Sequence, residues 1–570
     1  MNDSVKGFAF FSGFQTYDDK VKKIDDLYLY DNRLHKFPND EIMEVYENGF
    51  MFLDGYVTNK KDLCEQDYDN EWSSVLKNIL IREKSPQSLR GSFCGVYRMD
   101  NELHFFSDHV GSRGLYYYTQ NNQLIISNRY CYILEILEKN DISVNSDEQA
   151  IKYMLQQGFM LDSTTFCKQI KRVLPGEIIN IPLTDNKATT SSERYFLLSN
   201  EQDLSITEDE AIDNIDSLFR SAVKREFDKD LEYGYKHLVD LSGGLDSRMV
   251  CWVAHSMGYT NQMNFTYCRK DYLDYSIAKE VAMKLKHQFM YMPLDDCGWM
   301  YDLEKLVRLN NGAAEYLGIT GGNRFLESIN STLFGIEHTG MVGDAILSTF
   351  FSDETYSYSK PLGTENCYSD LVQYRMPTEL LEFYDNREIY SVYTRGFLGA
   401  QSSYFIRQNY VECASPFLDV DLLKYIFSIP FSMRRKHKLY FAWINKYYPD
   451  STQYGWEKWG GLRPIKNNWW KSKIRTEWNK VIRKINRYIG TMPNDDMNPL
   501  DYWVENNDAI RNWMNDYYED NEKFLSDIDT EIQKDLRNHF HEGGIIEKAQ
   551  VLTCLAMLKM NYRWEKMNDK

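Results

Sequence analysis

No stretch constrains this chain more than His237-Leu-Val-Asp-Leu-Ser-Gly-Gly-Leu-Asp-Ser247. A short apolar run breaks at two adjacent glycines and passes into the apolar, helical Met249-Val-Cys-Trp-Val-Ala254. That is a strand, a tight turn and a helix whose N-terminal N–H groups attract anions. Gly243 and Gly244 permit positive φ and close approach of an oxyanion, with Leu241 leading the chain into the turn. The hydroxyls of Ser242 and Ser247 add donors, and Asp246 supplies a hard oxygen suited to Mg²⁺. The GxxxxGK[ST] pattern is a different loop, and no lysine stands in this one. Two glycines between serines also occur in ordinary turns, so the rest of the chain must decide.

The flanking segments predict a doubly wound α/β domain. Ser205-Ile-Thr-Glu-Asp-Glu210 opens a helix that Ser205 or Thr207 can cap, with Ile212, Ile215, Leu218, Phe219 and Val223 on one apolar face. After the loop and its helix come the apolar run Met263–Tyr267 and a helix from Tyr275 to Lys286. Strand, helix, strand, helix signals a parallel sheet with ligands at the carboxyl ends of its strands, where Gly243 and Thr266 lie. A second apolar run, Ser331–Ile336, leads to the turn His338-Thr-Gly-Met-Val-Gly-Asp344, again glycine-rich with a carboxylate. Residues 1–195 read differently: short runs at 8–11, 50–53, 92–97, 103–106, 114–118 and 124–127, with helical patterns near 71–82 and 147–156, predict a sheet-rich α+β domain. The polar segment 183–204 divides it from a second domain, 205–570.

The string SGGLDS resembles the pyrophosphate loop of the ATP pyrophosphatases. The wider pattern resembles the asparagine synthetase superfamily, in which a Ser-Gly-Glu-Gly-x-Asp turn faces that loop. Gly340 and Asp344 carry over, while Val342 stands at the second glycine. The resemblance implies ATP and Mg²⁺ as cofactors, with Asp246 and Asp344 holding the metal. Val411-Glu-Cys-Ala-Ser-Pro-Phe-Leu-Asp419 is similar to a family segment read here as packing. The basic run Met433–Lys438 heads a helix as the family's lysine does, giving Lys438, or Lys436 if the register slips by one, as a pyrophosphate contact. Trp456-Glu-Lys458-Trp-Gly-Gly461 resembles the family's catalytic-lysine loop. Met341 departs: asparagine synthetases carry glutamate and β-lactam synthetases tyrosine at this position, and a thioether accepts no proton. Glu315 or Tyr316 is left as the base, unless the amine arrives neutral.

Leu89-Arg-Gly-Ser-Phe93, Phe106–Tyr116 and Leu124–Asn128 resemble a class II glutamine amidotransferase domain, which implies an Ntn-hydrolase-like sandwich. In that family an N-terminal cysteine hydrolyses glutamine. Here Lys6 stands in its place, Asp54 replaces the asparagine that stabilises the oxyanion, and Tyr56 replaces the glutamate that pairs with the substrate ammonium. Asp108 and Gly111 match, but fit a structural turn equally well. The expectation is a retained fold without glutaminase.

Size and charge bound the partners. A chain of 570 residues with 43% hydrophobic and 15% aromatic content buries two or three cores. A net charge of −18 disfavours nucleic acid and anionic membranes. The ten scattered cysteines lack CxxC spacing and read as reduced thiols, and no signal or membrane-spanning pattern stands out, so a cytoplasmic location is expected. The resemblance then implies an AMP-forming amide ligase. It adenylates a small-molecule or peptide carboxylic acid and passes the acyl group to an amine not supplied by glutamine in this chain, as in β-lactam synthetases and lasso-peptide cyclases. An amidotransferase using ammonia or glutamine, a nucleotide-binding scaffold, a homodimer and biosynthetic partner proteins remain open. Trp469–Arg487 reads as a basic amphipathic helix, Asp516–Asp529 as an exposed acidic segment, and 544–564 as a helix docking on the second domain.

Overall fold

The computed structural model describes residues 4–15, 20–67, 70–183, 190–319, 322–465, 468, 470–475, 477–479, 482, 491–493 and 496–562. Nine of the 19 residues of the basic stretch 469–487 and the last two residues of the expected terminal helix lie outside them. No described helix is long and apolar enough to cross a membrane.

Two six-stranded antiparallel sheets build the N-terminal part. In spatial order, one runs Ile170–Arg172, Tyr116–Gln120, Gln123–Ser127, Gly7–Ser12, Leu27–Asn32, Val21–Ile24. The other runs Ser191–Arg194, Glu177–Pro182, Glu102–Ser107, Gly91–Met99, Gly49–Val57, Ile42–Tyr46. Alternating residues face inward, so Phe8, Phe10 and Ile126 of the first sheet share a core with Phe50, Phe52, Val96 and Phe105 of the second. Helix Trp72–Glu83 covers the second sheet with Val75, Leu76, Ile79 and Leu80, and helix Tyr130–Lys139 packs on the first. Five of the six expected strand runs fall within strands, and the sixth, 114–118, overlaps Tyr116–Gln120 by three residues. The other strands escaped notice because they are short, or polar on one face, as in Val21–Ile24.

The helix Glu208–Glu232 opens on a capping box in which Thr207, not Ser205, accepts from Glu210 N–H. It packs on a five-stranded, wholly parallel sheet in the order Gln288–Pro293, Gln262–Cys268, Lys236–Asp240, Phe334–His338, Glu412–Ala414. In chain order that is 3-2-1-4-5, so the winding reverses between Lys236–Asp240 and Phe334–His338, the crevice where doubly wound sheets bind ligands. The expected strand at 331–336 begins later, because Ser331–Leu333 form a 3₁₀ turn capped by Asn330.

Two expectations need correction. The terminal helix Ile545–Tyr562 does not dock on the second domain alone. It also packs on Glu148–Gln157 of the first, and Asn561 links Tyr130 Oη at 2.8 Å to the Phe166 carbonyl at 2.9 Å. Glu412, read as packing, forms a buried ion pair with Arg113 across the two parts. The acids of 516–529 are exposed as expected, but the segment is anchored by buried Tyr518, Leu525 and Ile528.

Candidate active site

The loop after Lys236–Asp240 lies at the sheet's reversal point. Leu241 is buried and its N–H extends the ladder to the Phe265 carbonyl at 2.9 Å, so its side chain belongs to the core. Neither Gly243 nor Gly244 has positive φ. Glycine is needed at 243 for space: a Cβ there would meet Glu457 Cβ at 2.9 Å and Asp274 Oδ1 at 3.0 Å. The loop amides are not a row of free donors. Ser242 N–H donates to Ser247 Oγ at 3.0 Å, Gly244 N–H to Ser242 Oγ at 3.1 Å, and Gly243 N–H to the buried Asp274 carboxylate. The anion-attracting element is therefore the first turn of helix Asp246–Ser256, which no side chain caps.

Asp246 stands at that turn, its Oδ1 accepting from Tyr440 Oη at 2.6 Å and its Oδ2 from Asp344 N–H at 3.0 Å. Burial, and then the like charge of Asp344, push its carboxyl up to about 7. Lys458 Nζ lies 3.4 Å from Asp344 Oδ2, so three residues predicted from distant segments converge here. The Lys458 loop is tied directly to the anion loop by Glu457 N–H donating to the Gly243 carbonyl at 3.1 Å. Buried Arg248 donates to the carbonyls of Gly243 and Ser451, both at 3.2 Å, and also to that of Gly455. Two neighbouring carboxylates of hard oxygen, one held above its ordinary range by burial and then by the other's charge, fit a divalent cation such as Mg²⁺.

The turn Thr339–Asp344 is pressed against this loop. A Cβ on Gly340 would stand 2.3 Å from Ser247 N and 2.6 Å from Asp246 C, both backbone atoms that cannot yield. Gly340→Ala will lower stability by about 2 kcal/mol or more by forcing the two loops apart; an unchanged chemical-denaturation midpoint would contradict this placement. Val342 holds φ 59°, a left-handed conformation that β-branched residues rarely take. This is the position where the family resemblance expects glycine.

Other predicted residues lie elsewhere. Lys438 pairs with Glu208 at 2.6 Å at the start of the long helix, and among the described residues nothing joins it to Asp246 or Asp344. Lys436 and His437 both take left-handed φ, which throws the basic run out of helical register, so that the helix begins at Lys438. Thr266 is buried near the carboxyl end of Gln262–Cys268. Glu315 lines a cavity of about 270 Å³ that also includes Met341, the neighbour of Gly340. Burial pushes its carboxyl up to about 7, and it accepts from Leu317 N–H at 2.9 Å. Tyr316 is buried and does not line that cavity.

Sequence reading missed His437, whose ring is lowered in pKa by burial and then by Lys458, and which stacks near Tyr440. It also missed Asp274, pushed to about 7 by burial and then Glu457. Tyr440 was legible only as helix filler in Leu439-Tyr-Phe-Ala. A separate buried cluster, Asp230 with His237 at 3.0 Å and His338 at 2.8 Å, has the spacing of N–H···O hydrogen bonds and sits under the sheet against Phe227.

The glutaminase position is filled. Asp54 does not face an oxyanion site: its Oδ2 accepts from Arg113 Nη2 at 2.8 Å and Nε at 3.1 Å. Tyr56 is buried with its hydroxyl on the Cys413 carbonyl at 2.9 Å, and Lys6 Nζ donates to Asn32 Oδ1 at 3.3 Å. Asp108 is a turn residue, accepting from the N–H groups of Val110 at 3.0 Å and Ser112 at 3.1 Å.

No curated protein sequence matches this chain. Among solved structures, the allosteric regulatory enzyme of purine biosynthesis aligns at 13% identity and TM-score 0.23, covering 42% of this chain and 55% of that one. Glutamine phosphoribosylpyrophosphate amidotransferase from B. subtilis, complexed with ADP and GMP, aligns at 12% identity and TM-score 0.24, covering 53% of this chain and 88% of that one. Both similarities are too slight to bear on the fold. A family model described as asparagine synthase matches residues 214–309, which hold the anion loop, Asp246 and three strands of the parallel sheet, Lys236–Asp240, Gln262–Cys268 and Gln288–Pro293.

Proposed function

We propose that the protein is an AMP-forming amide ligase. The observation that carries this reading is the meeting of Asp246, Asp344 and Lys458 at an uncapped helix N-terminus in the crevice of a parallel sheet. That terminus suits the phosphates of ATP. Asp246 and Asp344 would hold Mg²⁺, which supplies charge neutralisation for the phosphate oxygens and the leaving pyrophosphate. A substrate carboxylate oxygen bonds to the α-phosphorus as the bond from that phosphorus to the α–β bridging oxygen breaks, giving an acyl-adenylate and pyrophosphate. Lys458 places its ammonium where charge gathers on the α-phosphate and then on the tetrahedral adduct. The amine nitrogen bonds to the acyl carbon, AMP leaves with the mixed-anhydride oxygen, and Glu315 takes the amine proton, its carboxyl being tuned close to neutral pH.

The amine does not come from glutamine in this chain. Lys6 offers no thiolate, and Arg113 and Asp54 occupy each other. Pure protein incubated with glutamine is expected to release no glutamate; measurable glutamate would overturn the point. The ligase reading itself is tested by a pyrophosphate-release screen with Mg-ATP and candidate carboxylic acids, repeated with Asp246→Ala and Lys458→Ala. Release that persists unchanged in both variants would remove these residues from the site.

A further inference from the structure

The cavity beside Met341 has a lining that specifies a ligand more narrowly than the nucleotide site does. Its walls are aromatic and thioether groups: Phe159, Tyr267, Trp299, Tyr368, Met341 and Met497. Its polar groups include the carboxylate of Glu315, the hydroxyl of Ser403 and the carboxamide of Asn498. Glu315 is 5% exposed and approaches backbone so closely that a Cβ on Gly318 would stand 2.2 Å from its Oε1. Ser403 and Asn498 line the same space, and Ser403 Oγ and Asn498 Oδ1 are buried without a hydrogen-bond partner among the described residues. A buried polar atom left unpaired costs about 1–3 kcal/mol, so a ligand that donates hydrogen bonds here gains where water-facing sites would not. Arg407 is the one cation among the described lining residues, and it is committed: to Glu337, to Asp240 at 3.4 Å, and to Tyr267 Oη at 3.0 Å. An incoming carboxylate finds no free cation and meets the carboxylate of Glu315; an incoming ammonium finds that carboxylate beside the hydroxyl of Ser403 and the carboxamide of Asn498.

Size adds a second constraint. A molecule as small as ammonia, close to one water at ~30 Å³, leaves nearly all of the cavity of about 270 Å³ empty. Its aromatic walls then remain without contacts. We propose, resting on the ligase reading above, that this cavity is the acceptor pocket for a primary amine bearing an aromatic or bulky apolar side chain, with Glu315, Ser403 and Asn498 receiving its N–H groups and Phe159, Trp299 and Tyr368 enclosing the side chain. Glu315 thereby selects the nucleophile as well as taking its proton, and free ammonia is not the acceptor.

Binding can be read without any chemistry, by calorimetric titration of the full chain with phenethylamine, ammonium chloride and 3-phenylpropionate in the absence of nucleotide. Phenethylamine is expected to bind at least about tenfold more tightly than either of the others. Glu315→Gln, which keeps the Leu317 hydrogen bond, is expected to weaken phenethylamine about tenfold. Tyr368→Ala, at a residue 52% exposed and so without consequence for folding, is expected to weaken it about threefold without favouring 3-phenylpropionate. Absence of phenethylamine binding, equal or tighter binding of 3-phenylpropionate, or an affinity unmoved by Glu315→Gln would each overturn the proposal. The nucleotide reading stands or falls separately, because pyrophosphate release reports on Asp246 and Lys458 whether or not phenethylamine binds.

Discussion

Asp246→Asn abolishes pyrophosphate release while leaving stability unchanged or slightly higher. The amide keeps the hydrogen bond from Tyr440 through its oxygen and gives up the one that Asp344 N–H donates to Oδ2, a loss offset by removing a charge that burial and Asp344 already disfavour. Sites built to hold cations carry such like-charge strain in the free protein, so relieving it separates function from folding. A residue that merely shaped the turn would lose stability and activity together. Lys458→Ala is expected to lower release about 10²–10³-fold, the range for losing one donor aimed at developing negative charge. Its side chain is about half exposed in its contact with Asp344, so no loss of stability accompanies it. Coupled pyrophosphate assays beside urea denaturation read both quantities. A Lys458→Ala enzyme within about threefold of wild type would remove the lysine from the chemistry.

Arg113→Met destabilises the protein by about 3–5 kcal/mol, the largest stability effect anticipated. The guanidinium is buried between Asp54 and Glu412, themselves 1% and 3% exposed, and joins the N-terminal sheets to the last strand of the parallel sheet. Without it Glu412 loses its ion-pair partner beside Asp54, which keeps Arg33 at 3.9 Å and Asn128 Nδ2 at 3.3 Å. Burial already raises the Glu412 carboxyl, and loss of its cation raises it further. A carboxyl whose folded pKa lies above its unfolded value contributes most at low pH and loses that contribution as pH rises through the folded value, so the deficit of the variant will be smaller at pH 5 than at pH 8. Denaturation at the two pH values checks both sign and size. A deficit under about 1 kcal/mol, or one independent of pH, would mean that the pair is hydrated and incidental.

The two halves of the candidate site were legible because each lies within a short, glycine-marked string: Ser242–Ser247 and Thr339–Asp344. Their meeting was legible from the alternation of strands and helices, which fixes where carboxyl ends gather. What escaped was whatever depends on partners far along the chain. Asp54 reads correctly as hostile to an oxyanion, yet only the fold reveals Arg113 and Glu412 beside it. The free amides expected at Gly243 and Gly244 are taken by Asp274 and Ser242, a competition no local pattern announces. The pairing of Lys438 with Glu208 was likewise hidden, since Glu208 lies 230 residues away at the start of the long helix. Met341 looked like the point where the resemblance ceased to inform; it marks instead the wall shared by the nucleotide loop and the cavity of Glu315.

The central claim is cleavage of ATP between the α- and β-phosphates at Asp246, Asp344 and Lys458. The most direct test is to identify the products when Mg-ATP turns over with a panel of carboxylic acids and phenethylamine. Equimolar AMP and pyrophosphate, lost in Asp246→Asn, is the predicted result; ADP and phosphate, or no turnover with any acid, would contradict it.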